Sequence, residues 1–296
     1  MSAQQAPAPQ AAPDWTYRRI LDWTQDALRK HGSDSPRVEA EILLAHAADC
    51  QRILLYTRLD EPTPEAVRQT MRSLVQRRMK AEPVAYLVGR REFFSLDFAV
   101  SAATLIPRPE TETLVMAGLD WLAEHPGRRA VLDVGTGTGC VAAAVAKECA
   151  DAQVTAVDVS PEAAEVARGN VERLKLSDRV EVLKSDLFAA VAGRTFDLIL
   201  SNPPYVRTGE IAGLDADVRA HEPHSALDGG ADGLDVVRRL IAKGPAFLTP
   251  GGRMALEVDP SQIQSCRELF AASGWADVSV AKDANGDERV ISATRG

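Results

Sequence analysis

The chain has 296 residues, a net charge of −8, 45% hydrophobic and 26% charged residues. That mix is the one of an ordinary globular protein, long enough for one large α/β domain and a smaller accessory one. It lacks the global basic excess of proteins that grip duplex nucleic acid, and no apolar run approaches the ~20 residues that cross a bilayer.

The first dozen residues are rich in Ala, Pro and Gln, without a basic start or an apolar stretch. They predict a disordered tail over residues 1–13, neither a secretory nor a mitochondrial signal, and a cytoplasmic protein. Cys50, Cys140, Cys149 and Cys266 form no Cys-x-x-Cys pair, and no His stands at ligand spacing from them. Packed, reduced thiols are expected, with no metal.

Three helical stretches come first. Residues 15–30 carry Ile20, Trp23 and Ala27 at helical spacing, and 36–48 open with Pro36 at a first helical position after Ser35. Thr63-Pro64-Glu65 starts a third helix reaching about residue 81, with Val67, Met71, Leu74 and Val75 inside it. Short helices with one apolar stripe each must pack on one another, which predicts a small helical bundle over 14–89. The basic run of Arg68, Arg72, Arg77, Arg78 and Lys80 reads as a solvated helix face.

After Gly89 the period changes. Phe94, Leu96, Phe98 and Val100 alternate with Ser95, Asp97 and Ala99, which predicts a hairpin or bent strand in a linker over 90–107. In Leu105-Ile106-Pro107-Arg108-Pro109-Glu110-Thr111-Glu112, two prolines fix an extended entry into the next helix. From there short apolar runs (130–134, 154–158, 180–183, 196–200) alternate with helical segments (140–149, 160–174). A helix over 234–248, a strand over 254–258, a helix over 261–272 and two last strands follow. This rhythm predicts a doubly wound, mostly parallel α/β sheet over 108–296, with helices on both faces.

Asp133-Val134-Gly135-Thr136-Gly137-Thr138-Gly139 lies between the first strand of that sheet and its helix. Asp158 ends the next strand, where a carboxylate can take a ribose diol. The dinucleotide fingerprint is G-x-G-x-x-G; this loop is G-x-G-x-G, and no second nucleotide half is evident. S-adenosylmethionine has a ribose and no phosphate, so it suits these residues better. Asp133 is placed to approach its amino-acid end, directly or through water. Asp186 can accept from the adenine amino group, with Leu187 or Phe188 lining the ring. A glycine loop alone is also how a tight strand-to-helix turn is built; Asp158 and the next motif weigh against that simpler reading.

Ser201-Asn202-Pro203-Pro204-Tyr205 follows the fourth strand. An amide or arylamine nitrogen is a poor nucleophile because its lone pair is delocalised. Two acceptors, the Asn202 side-chain oxygen and the Pro203 carbonyl, would hold its two N–H bonds and face the positive charge that develops on nitrogen. Pro203 and Pro204 stiffen the backbone, and Tyr205 can stack on a planar acceptor group. The methylated nitrogen sheds its proton readily, so positioning is what remains for the protein to supply.

At these residues the chain resembles the release-factor glutamine methyltransferases, the PrmC/HemK family. The resemblance runs from about Trp15 to the C-terminus. It rests on Pro83-Val84-Ala85-Tyr86-Leu87, on the Pro107-Arg108-Pro109-Glu110-Thr111-Glu112 segment, on the glycine loop and on Asn202 to Tyr205. Glu222-Pro223, Ala226-Leu227-Asp228-Gly229-Gly230 and Asp232-Gly233-Leu234 belong to it as well. It implies a class I, Rossmann-like methyltransferase domain with a seven-stranded sheet, and a helical N-terminal domain that docks the substrate protein. It also implies methylation of the glutamine in the Gly-Gly-Gln motif of peptide-chain release factors, consistent with the S-adenosylmethionine read from the residues; a monomer is expected. Two positions depart from the family pattern: Ser95 where a glycine is common, and Leu187 where an aromatic is often found.

Asn-Pro-Pro-Tyr alone fits nucleic-acid N6-adenine methyltransferases too, but these need a basic surface, and the chain is acidic. The Pro-Arg-Pro-Glu-Thr-Glu segment favours release factors over the related ribosomal-protein enzymes, which tend to carry Ser-Pro after the Arg. An inactive binding module on the same fold is the rival from another class, and the intact glycine loop, Asp158 and Asn202 argue against it. His221 and His224 flank Glu222-Pro223 without a matching acid cluster and are assigned no chemistry.

Overall fold

The computed structural model describes residues 15–296, and the tail expected over 1–13 lies outside them. The chain divides into two compact units, one reaching Val88 and one spanning Gly89–Gly296.

The first unit is helical: α1 (Tyr17–Lys30), α2 (Pro36–Ala47), α3 (Glu65–Arg78) and the short α4 (Val84–Val88). Thr16 caps α1, its side chain accepting from the Arg19 N–H. Ile20, Leu43, Leu44, Met71, Leu74, Val75 and Leu87 meet in one core, so each helix buries the stripe that its sequence carries. Glu41, nearly buried, accepts from Tyr56 Oη at 2.6 Å and Arg37 Nε at 3.0 Å. In the basic run, Arg68, Arg77 and Arg78 pair with Glu65, Glu82 and Glu39, which neutralises much of that face. The turn over Arg52–Thr57 leaves Ile53, Leu54 and Tyr56 exposed.

The second unit opens with β1 (Arg90–Phe93) and β2 (Leu96–Ala99), an antiparallel hairpin. Phe93 opposes Leu96, so Phe94 and Ser95 form a two-residue turn with φ of 50° and 58°. Positive φ at both central residues is the type I′ pattern of two-residue hairpin turns. The strand alternation expected from Phe94 onward therefore starts only after the turn, and Phe93 takes the buried place together with Phe98.

The large sheet comprises β3 (Ala130–Val134), β4 (Gln153–Asp158), β5 (Val180–Lys184), β6 (Phe196–Ser201), β7 (Leu248–Glu257), β8 (Ala276–Lys282) and β9 (Glu288–Thr294). Its spatial order is β5-β4-β3-β6-β7-β9-β8, parallel except at β9. Helices α5 (Glu112–Glu124), α6 (Cys140–Glu148) and α7 (Pro161–Arg173) precede the short α8 (Ala216–His221), α9 (Asp235–Lys243) and α10 (Ile263–Ala272). One core joins α5 and α6 to Val131, Leu198, Leu200 and Ala255, and the hairpin packs into it through Phe93 and Phe98. The opposite core joins α9 and α10 to Leu132, Ile199, Met254 and Leu256. Neighbouring residues of one strand feed opposite cores, as pleating requires.

Two boundaries differ from the sequence expectation. The helix expected over 234–248 stops at Lys243, because Gly244-Pro245 breaks the ladder and a tight turn over Gly244–Phe247 follows. Strand β7 begins at Leu248, before Gly251-Gly252, and absorbs those residues as a register shift against β6. The strand order reverses between β3 and β6, the point at which such sheets bind ligands beyond the carboxyl ends of their strands.

Candidate active site

A cavity opens at that reversal, lined in part by Val134, Asp158, Ser201 and the residues that follow them. The N–H groups of Gly135 and Thr136 both donate to the Val157 carbonyl, at 2.8 and 3.0 Å, folding the loop back over β4. Gly135, Thr136, Gly137 and Thr138 line the cavity. Gly139 does not: it starts α6 at φ 80°, and a Cβ there would meet Ala167 Cβ at 3.3 Å. Its role is to let α6 begin close against α7. Buried Asn170 of α7 fastens this corner, donating to the carbonyls of Thr138 (2.8 Å) and Ala99 (3.0 Å) and accepting from the Ala99 N–H (2.8 Å).

Asp133 is 1% exposed, and its Oδ2 accepts from Thr136 Oγ1 at 2.6 Å and the Ala142 N–H at 3.2 Å. Burial pushes its pKa up to about 7, against the pull of those two hydrogen bonds. Asp158, at the end of β4, accepts from the Gly137 N–H through Oδ2 at 2.8 Å and from the Ser160 N–H through Oδ1 at 2.9 Å. Burial raises its pKa as well, and the backbone donors oppose the rise. The carboxylate is thereby aimed, with lone pairs left over for a ligand.

The third strand end is arranged differently from the expectation. Both Asp186 oxygens accept from Arg239 Nη2, at 2.7 and 2.8 Å, and both residues line the cavity. Leu187, at φ 50°, lines it too. Phe188 turns away, 3% exposed, and stacks on Phe247 with ring centroids 4.5 Å apart. It braces the wall from behind.

At the end of β6, Ser201 Oγ donates to the Val134 carbonyl at 2.7 Å, tying β6 to β3 directly before Asn202. Asn202, Pro203 and Pro204 line the cavity, and Asn202 Nδ2 donates to Thr111 Oγ1 at 3.1 Å. Tyr205 stands outside the lining; its carbonyl accepts from Gln262 Nε2 at 2.9 Å, and burial pushes its phenol up to about 12. The glycine-rich segment after Ala226 backs this loop. The Val206 N–H donates to the Leu227 carbonyl at 2.9 Å, the Gly229 N–H to the Val206 carbonyl at 2.8 Å, and a Cβ on Gly229 would meet Pro204 O at 2.6 Å. Only bare backbone fits there.

Three features of the site had no functional reading in the sequence. Arg108 lines the cavity and pairs with buried Glu222, which joins two segments of the family resemblance. Arg239 lies on α9 and has no signal in a single sequence. Glu257, the last residue of β7 and 1% exposed, faces Thr111 and Asn202; burial pushes its carboxyl up to about 7, and among the described residues its Oε2 has no hydrogen-bond partner. A lone acid ending an apolar strand was its only trace. Both arginines of the lining are thus paired with carboxylates, while Asp133 and Asp158 lack an ion-pair partner among the described residues. This chemistry fits a cationic nucleoside without phosphate.

The chain matches the PrmC N-terminal domain over residues 19–89 and the Methyltransferase small domain over residues 115–216. A release factor glutamine methyltransferase of Rhodopirellula baltica is 46% identical over 284 residues, which cover 94% of this chain and 96% of that protein. Its counterpart in Geobacter sulfurreducens is 41% identical over 277 residues, covering 94% and 96%. Among solved structures, a methyltransferase from Pyrococcus furiosus is 25% identical with a TM-score of 0.50, covering 69% of this chain and 91% of that one. The doubly wound sheet is a class I methyltransferase fold, and the chain belongs to the release factor glutamine methyltransferase family.

Proposed function

We propose that this protein transfers a methyl group from S-adenosylmethionine to the side-chain amide nitrogen of the glutamine in the Gly-Gly-Gln motif of peptide-chain release factors, in the cytoplasm. The observation that carries this reading is that the Asp158 carboxylate and the Asn202-Pro203-Pro204 segment open onto one cavity at the strand ends. Asp158 would hold the ribose diol and Asp133 the ammonium of the amino-acid end. Leu187 would cover the adenine, and Asp186 keeps lone pairs for its amino group beyond those Arg239 uses. Bound there, the cofactor supplies an electrophilic methyl group on a sulfonium.

The protein's own part is orientation. The Asn202 side-chain oxygen and the Pro203 carbonyl accept the two N–H bonds of the glutamine amide, which turns its lone pair out of conjugation and stabilises positive charge on nitrogen. The surplus proton leaves to water after transfer. Asn202→Ala should therefore lower turnover on the order of 10²–10³-fold with little change in cofactor affinity. Asp158→Ala should do the reverse, losing ~1.5–3 kcal/mol of cofactor binding by calorimetry. Turnover within a few-fold of wild type for the first, or unchanged affinity for the second, would contradict these roles.

Asp133 links the site to stability. Its folded pKa of about 7 lies above the ordinary 3.8, so the folded state keeps a proton that the unfolded chain has released. The stability from the neutral form is complete below about pH 4 and is lost as pH rises through about 7. Asp133→Asn keeps an acceptor for Thr136 and Ala142 but removes the buried charge. At pH ~8 the variant should gain about 1–3 kcal/mol of stability without cofactor while binding cofactor roughly tenfold more weakly. A lower melting temperature would rule this account out.

One glutamine side chain offers too little surface to select one protein among many, so selection needs contacts away from the reacting atoms. The exposed Ile53, Leu54 and Tyr56 of the helical unit offer an apolar patch for that purpose. Ile53→Asp should raise KM for intact release factor about tenfold and leave the rate on a short Gly-Gly-Gln peptide unchanged. An unchanged KM would show that docking uses another surface.

A further inference from the structure

Asn202 can serve the proposed reaction in only one of its two amide orientations. Its oxygen accepts N–H bonds from a substrate amide; its nitrogen, rotated into the same place, would oppose the substrate's donors with donors of its own. The structure carries a device that selects between the two. Thr111, 3% exposed, ends the tight turn Pro109–Thr111 that leads into α5. Its Oγ1 accepts from Asn202 Nδ2 at 3.1 Å. Behind them the Glu257 carboxyl faces both the Thr111 hydroxyl and the Asn202 side chain, outside the lining of the cavity. Glu257 is 1% exposed, and among the described residues its Oε2 has no hydrogen-bond partner; Arg289 attracts its charge and Glu110 repels it, so the Thr111 hydroxyl and the Asn202 amide are the uncharged donors it faces.

An ionised carboxylate only accepts. The Thr111 hydroxyl, with one proton, gives it toward Glu257 and keeps a lone pair for Asn202 Nδ2. Reversing the Asn202 amide would set its oxygen against the acceptor lone pair of Thr111 and the negative charge of Glu257, with the amide nitrogen turned away from both. We propose that Thr111 and Glu257 are positioning residues that fix the rotation of the Asn202 amide, so that its oxygen faces the reacting glutamine. This inference rests on the glutamine methyltransferase reading above. It gives the Thr111 of the Pro-Arg-Pro-Glu-Thr-Glu segment a task in turnover, and it explains why an acid is buried at the end of β7 beside an already acidic site.

The test is kinetic, on the full chain with intact release factor at about pH 8.5, where a carboxyl with a pKa of about 7 is ionised. Thr111→Val keeps the shape and removes the acceptor. It should lower kcat about tenfold, the equivalent of one hydrogen bond's ~1.4 kcal/mol, with KM for release factor and Kd for S-adenosylmethionine within twofold of wild type. Thr111→Ser restores the hydroxyl and should recover at least about half of the wild-type kcat. Glu257→Gln, which can donate to the reversed Asn202, should lower kcat several-fold with the same unchanged KM and Kd. In the double variant Thr111→Val, Glu257→Gln the losses should be less than multiplicative, because both act through Asn202. A Thr111→Val kcat within twofold of wild type would overturn the inference while leaving the functional reading intact. So would failure of Thr111→Ser to rescue, or losses confined to KM or cofactor affinity. A wild-type protein with no transfer to release factor would overturn both.

Discussion

The register of three parallel strands governs this site. Val134 of β3 lies opposite Val157 of β4 and Ser201 of β6, so the strands that lead into Gly135, Asp158 and Asn202 end at nearly one level. Three local hydrogen bonds hold that register where it matters. The Val157 carbonyl takes both loop N–H groups of Gly135 and Thr136, and the Ser201 hydroxyl reaches across to the Val134 carbonyl. A slip of one residue in any of these strands would turn its side chains to the other face and carry a glycine turn, a carboxylate or an amide away from its place. The cores on the two faces, which bury alternate residues of the same strands, make such a slip costly.

On this frame the electrostatics are one-sided. Asp133 and Asp158 lose water without an ion-pair partner among the described residues, Glu257 is opposed only in part by the charge of Arg289, and burial raises the pKa of each. The two cavity arginines are occupied by Glu222 and Asp186. A site built for phosphate would show the reverse, with free arginines or lysines and neutral surroundings. Carrying buried acids weakens the protein by itself, and a cationic ligand is what would offset that cost. On the proposed reading, stability without ligand and affinity for it trade against each other at Asp133.

Much of the site was legible because its chemistry is local. The glycine loop, Asp158 and Asn202-Pro203-Pro204 each occupy the few residues after a strand, and strand ends could be read from short apolar runs. What sequence spacing does not carry is direction. Leu187 and Phe188 are neighbours, yet one faces the cavity and the other stacks on Phe247. Tyr205 and Gly139 belong to the same motifs as their neighbours and still point elsewhere, because the backbone turns between them. Arg239 and Glu257 come from elements 37 and 55 residues beyond Asn202, and only the sheet order brings them to it. In the hairpin, periodicity assigned Phe94 to a strand, whereas the pairing of Phe93 with Leu96 leaves Phe94 and Ser95, both at positive φ, as the two turn residues.

The central claim is that the acceptor atom is a glutamine side-chain nitrogen, selected by the Asn202 loop. Incubation of the wild-type protein with S-adenosylmethionine and purified release factor, followed by peptide mass spectrometry with fragmentation, reads this directly. The account predicts a gain of one methyl group, about 14 Da, localised to the glutamine of the Gly-Gly-Gln peptide and absent without cofactor. Methyl groups on another residue, or on nucleic acid or a ribosomal protein in place of the release factor, would contradict it.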